Sequence, residues 1–81
     1  MREITLIEGV SDLKNAVLVE MNKLYEPDEV KAFEIIRSDF WTSHVYVSFS
    51  ITVRGQKKVF HGRVDRETAH VNDLSLISTT S

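Results

Sequence analysis

The chain has no cysteine among its 81 residues. That absence excludes a disulfide framework, a thiolate nucleophile and a cysteine-bound zinc together. A single proline, Pro27, and three glycines leave few breaks in regular structure, so each break is informative. The longest apolar run, Ala16 to Val19, falls far short of the roughly 20 residues that cross a bilayer. The opening Met1-Arg2-Glu3-Ile4-Thr5-Leu6-Ile7-Glu8 carries two acids and no long apolar stretch, so it does not read as a signal peptide. The expectation is a cytoplasmic protein without a membrane partner. No GxxxxGK[ST], GxGxxG or HExxH is present, which removes the common phosphate and zinc motifs.

An 81-residue chain lies near the lower limit for folding on a hydrophobic core alone and reads as one small domain, 1–81. Such a domain without staples often relies on a partner or on itself for part of its stability. Net charge is −2 and the pI is near 5.9, which disfavours a globally basic nucleic-acid binder. The charge is uneven, however. Residues 1–34 hold four basic and eight acidic side chains, residues 35–81 six basic and four acidic.

The strongest pattern runs from Thr42 to Asp65. Val45, Val47, Phe49, Ile51 and Val53 are apolar at every second position, with His44, Tyr46, Ser48, Ser50, Thr52 and Arg54 between them. Strands turn successive side chains to opposite faces, so this segment predicts a sheet buried on one side and open on the other. Arg54-Gly55-Gln56-Lys57 suits a type II′ turn with Gly55 at its first central position. That turn pairs Ile51 with Phe60, Phe49 with Gly62, Ser50 with His61, Ser48 with Arg63 and Tyr46 with Asp65.

Upstream, Ile4, Leu6 and Ile7 suit a short first strand ended by Gly9. Ser11 suits an N-cap with Asp12 in the first turn. Leu13, Val17, Met21 and Leu24 then follow helical spacing, with Val10 and Ala16 widening the stripe, until Pro27. Residues 28–40 fit two readings: a helix with Val30, Phe33, Arg37 and Phe40 on one face, or a strand through Phe33, Ile35 and Ile36 feeding the hairpin. The strand is favoured. Ala69 to Ser78 suits a further strand with Leu74 and Leu76 on one face, and residues 78–81 read as a loose tail. Together these predict an α+β fold: an antiparallel β-meander of about four strands with one amphipathic helix packed on one face and room for a short N-terminal strand. The expected core is Leu13, Val17, Met21, Leu24, Phe33, Ile35, Val45, Val47, Phe49, Ile51, Phe60, Val64, Leu74 and Leu76.

The chemistry on offer is modest. In this register His44 and His61 lie about 20 Å apart along the sheet, too far to share one metal ion, so no metal or other cofactor is expected. Ser50 opposite His61 resembles a nucleophile and its base, but no carboxylate stands close enough to orient the imidazole. An open sheet also cannot exclude water, so the chain reads as non-enzymatic. Arg54, Lys57 and Lys58 form a basic hairpin tip, with Arg63 further down, able to meet phosphates. Basic residues at hairpin ends also keep strands from pairing with other chains, which is the plainer explanation.

The open face is the better candidate. His44, Tyr46, Ser48, Ser50, Thr52, His61 and Arg63 are types that make adaptable protein-binding surfaces, and β-propensity alone also favours Thr and Tyr there. The expected function is a small protein-interaction module, a homodimer or a binder or inhibitor of a larger protein, acting through that face or a strand edge. A nucleic-acid-associated protein using the basic tip over residues 54–63 is the alternative.

Overall fold

A computed structural model describes residues 6–80 of the chain. One helix is followed by a four-stranded antiparallel sheet in meander order: α1 (Val10–Leu24), β1 (Val30–Phe40), β2 (His44–Val53), β3 (Gln56–Asp65) and β4 (Val71–Thr80). The α+β reading therefore holds. The expected N-terminal strand does not form over Leu6 and Ile7, and Ile4 lies outside the described residues. Instead the backbone N–H groups of Leu6 and Ile7 both donate to the carbonyl of Arg66, at 2.8 and 3.1 Å. That anchors Ile7, 2% exposed, in the core.

Helix α1 starts earlier than Ser11 would have set it. Gly9 is the N-cap, and the Asp12 carboxylate accepts from the Glu8 N–H at 3.0 Å. Leu13, Ala16, Val17 and Met21 form the buried stripe. By helical angle Leu24 lies within that stripe, yet it is 53% exposed. It is the last helical residue, and its exposure reflects where the helix ends rather than which way it faces. Tyr25 is extended and Pro27–Glu29 forms one 3-10 turn, after which β1 begins at Val30. Pro27 fits that turn because its fixed φ suits a first helical position and its missing N–H is not needed there.

The β2–β3 hairpin differs from the expected register by two residues. Arg54 (φ 53°) and Gly55 (φ 78°) are the two central residues, both left-handed, as a type I′ turn requires. A I′ turn follows the right-handed twist of its strands, and here it moves every β3 partner by two positions. Phe49 faces Phe60, Val47 faces Gly62, Ser48 faces His61, Tyr46 faces Arg63 and His44 faces Asp65. An even shift keeps each side chain on its predicted face. Gly62 is compensated by β4 rather than by Phe49: a Cβ added there would lie 3.3 Å from Leu74 Cδ1 and 3.5 Å from Val71 Cγ1.

Strands β2 and β3 pair without interruption, whereas each outer strand is bulged twice against its neighbour. Ala32 and Asp73, at φ 50° and 54°, lie in two of these irregular stretches. Bulges bend and twist a strand, so the sheet curls around the core from both edges. Val45, Val47, Phe49, Ile51, Val53, Phe60 and Val64 meet the helix stripe and Ile7 inside that curl. Phe33, Ile35 and Leu74 pack against the core half-buried. Leu76, expected in the core, is 51% exposed because β4 is the edge strand and no further strand pairs with it among the described residues. Ser78–Thr80, expected as a tail, pair with Lys57–Val59 as the end of β4. Among the described residues no helix is long and apolar enough to cross a membrane.

Candidate functional site

The face of the sheet turned away from the helix is built on the β2–β3 ladder. His44, Tyr46, Ser48, Ser50 and Thr52 come from β2, Val59, His61 and Arg63 from β3. The ordered strand β1 adds two residues that sequence reasoning missed: Arg37 pairs with Ser48, and Asp39 with Tyr46. Their signal was the alternation Arg37, Ser38, Asp39, Phe40, masked because the same segment also fits a helix.

Four rings run across this surface. Trp41 stacks on His44, centroids 6.2 Å apart and planes 13° apart. His44 meets Tyr46 edge-on at 4.9 Å. Tyr46 lies parallel to His61, centroids 6.3 Å apart and planes within 6°. The second and fourth rings are anchored by hydrogen bonds: His44 Nδ1 and Ser43 Oγ share one at 3.0 Å, His61 Nδ1 and Ser48 Oγ another at 3.0 Å. Trp41 Nε1 donates to Asp39 Oδ2 at 3.1 Å. Beside the rings lies a shallow depression of about 250 Å³ bordered by Arg37, Asp39, Tyr46, Ser48 and His61.

The other predicted residues fall differently. Ser50 is 2% exposed and offers no contact surface despite pointing outward. Thr52 is half-buried. Arg63 Nη2 lies 3.3 Å from Asp73 Oδ2, so its charge is engaged on β4. At the hairpin tip Arg54 is ion-paired with Glu29 through Nε. Hydrogen bonding to Arg54 lowers the Glu29 carboxyl pKa, and the same contact raises that of Arg54. Lys57 is exposed and Lys58 half-buried. Among the described residues, Arg37 makes no salt bridge.

The expected Ser50–His61 pair is replaced by Ser48–His61. Among the described residues no carboxylate hydrogen-bonds that imidazole, and the pair opens on solvent. His61 now lies four residues along the ladder from His44, roughly 13 Å, still too far for both to bind one ion. Among the described residues no three His, Asp or Glu side chains converge as a metal site. The chain has no significant match among protein-family models, curated proteins or solved structures.

Proposed function

We propose that the chain is a small, non-enzymatic protein-interaction module of the cytoplasm, and that it engages a partner protein through the outer sheet face centred on Tyr46. The observation that carries this reading is the anchored row of rings beside the Arg37-bordered depression. Tyr, Trp and Arg dominate the energetics of protein interfaces. Rings already held by stacking and, at His44 and His61, by hydrogen bonds shared with Ser43 and Ser48 lose little freedom when covered, which lowers the cost of association. A depression of about 250 Å³ suits one inserted side chain rather than a whole small molecule. Arg37 brings it a guanidinium that makes no salt bridge among the described residues, so an acidic or amide side chain is the fitting insert.

The nucleic-acid reading keeps one supporting observation, the adjacent Lys57 and Lys58 near the start of β3. Two features weigh against it. Arg54 and Arg63 are both ion-paired, and the rings of the outer face are already engaged in contacts with one another.

The decisive experiment uses a purified partner recovered with the wild-type chain. Binding measured by calorimetry should be lost in Tyr46→Ala combined with Arg37→Ala, and kept in Lys57→Glu combined with Lys58→Glu. The opposite pattern would transfer the function to the hairpin tip.

A further inference from the structure

The two edges of the sheet are not equally defended. Strand β1 carries Lys31, Glu34, Arg37 and Asp39, all exposed. Charges on an edge discourage pairing with another chain. Strand β4 has no charged residue and no proline from Leu74 to Thr80, and exposes Leu76 at 51% and Ile77 at 58%. Its only charge, Asp73, lies against Arg63 at 3.3 Å. A long uncharged edge of this kind is a template for a further strand.

We propose that two copies of the chain join edge to edge through β4, antiparallel about a two-fold axis at Ser75, into one continuous sheet. The proposal rests on the reading of the chain as an interaction module but uses a different surface from the Tyr46 face.

The strand itself fixes this occupant and register. Leu74 packs on the helix side over Gly62, and Leu76 pairs with Phe60 on the same side, while Ser75 between them pairs with His61 on the outer side. With Ser75 on the axis, each Leu74 stands opposite the partner's Leu76, which covers the half-exposed leucines on the face where the core lies. The irregular positions Asp73 and Ile77 are equidistant from Ser75, so they oppose each other and the ladder between them stays regular. Asn72 meets Ser78 and Val71 meets Thr79, so no like charges are brought together. Pairing β4 with β1 of another copy would instead be head-to-tail, leaving an open filament rather than a closed pair. The two-fold axis runs perpendicular to the sheet, so both Tyr46 faces look the same way and one dimer offers two binding sites side by side.

The absence of cysteine gives a clean test. Ser75→Cys places two thiols directly across the axis, within the Cα separation that a disulfide tolerates, and mild oxidation should produce a covalent dimer. Ser78→Cys lies three residues from the axis, so its two copies sit roughly 20 Å apart and should not cross-link. In sedimentation velocity the wild type should give the dimer mass. Ser75→Lys and Leu76→Lys should give the monomer mass, with circular dichroism unchanged. A wild type that is monomeric at every concentration, or equal cross-linking at positions 75 and 78, overturns the proposal. So does a dimer that survives Ser75→Lys and dissociates with Tyr46→Ala, which would move self-association to the outer face. A β4 dimer that binds no partner protein would support this interface while removing the function proposed for Tyr46.

Discussion

Phe49 and Phe60 face each other directly across the β2–β3 ladder, ring centroids 5.5 Å apart and planes 15° apart. Phe33 stacks on the other side of Phe49 at 5.6 Å, so one fully buried ring joins three strands. Removing it leaves a cavity walled by two rigid rings that cannot collapse into it. Phe49→Ala should therefore cost about 3–5 kcal/mol. Thr52→Ala, on the opposite face, should stay within about 1 kcal/mol. Urea unfolding with unchanged slope would measure both, and equal losses would show that the two faces have been interchanged.

The turn gives a second expectation. Gly55 has φ 78°, and a Cβ added there would meet nothing within 4 Å, so only backbone conformation penalises a substitution. Gly55→Ala should lower stability by about 1–2 kcal/mol, the cost of holding an L-residue left-handed. Amide exchange should rise most at Val53 and Gln56. A stability equal to wild type would contradict the type I′ geometry.

What was legible in the sequence was what depends on period. Alternation from Val45 to Val53 assigned the faces, and the spacing of Leu13, Val17 and Met21 assigned the helix. What was not legible depends on local choices that two close alternatives satisfy equally. Gly55 serves a I′ turn as its second central residue and a II′ turn as its first, and the sequence alone does not say that Arg54 accepts φ 53°. The register, and with it the Ser48–His61 contact, follows from that one choice. Burial of Leu24 and Leu76 depends on how far the helix and sheet extend past each other, which periodicity does not encode. The Arg37–Asp39 side of the candidate site went unseen because residues 28–40 satisfy a helical spacing as well as a strand alternation, and only the pairing of β1 with β2 decides between them.

Acid should loosen the β3–β4 connection. The Asp65 carboxylate accepts the backbone N–H groups of Glu67 at 2.8 Å and Thr68 at 3.2 Å, and those bonds lower its pKa. A carboxyl lowered on folding contributes stability that is complete above its unfolded pKa and disappears as pH falls through the folded one. Wild-type stability should decline on acidification through and below the ordinary carboxylate range, with Glu29 adding to the slope through Arg54. Asp65→Asn keeps an acceptor but cannot titrate, so its unfolding midpoint should depend less on pH. Parallel curves for the two proteins would remove Asp65 as the cause.

The basic tip makes a sharper demand than the outer face. If Lys57 and Lys58 meet phosphates, duplex affinity must fall steeply with salt, by roughly one unit of logarithmic slope per contact. Lys57→Glu with Lys58→Glu should then abolish binding while the melting temperature is retained. Failure of the wild type to bind any duplex at low ionic strength ends that reading.

Tyr46 and Arg37 should carry the partner contact in unequal company. Tyr46 is 38% exposed and lies between His44 and His61, so it remains open to a partner while its neighbours on the sheet hold it in place. Its replacement by alanine should weaken partner binding by at least about 2 kcal/mol, or roughly 30-fold in Kd. The loss of ring contacts should cost the fold only about 1 kcal/mol. Arg63 stands directly opposite Tyr46, yet its guanidinium is 3.3 Å from Asp73. Arg37 borders the depression without a salt bridge of its own among the described residues. A partner must compete with Asp73 for Arg63 but meets no such competitor at Arg37 among the described residues. Arg37→Ala should therefore cost more affinity than Arg63→Ala, and Asp73→Ala should partly restore binding when Arg37 is missing by freeing Arg63. Equal effects at the two arginines, or full affinity in Tyr46→Ala, would show that the partner sits elsewhere on the molecule.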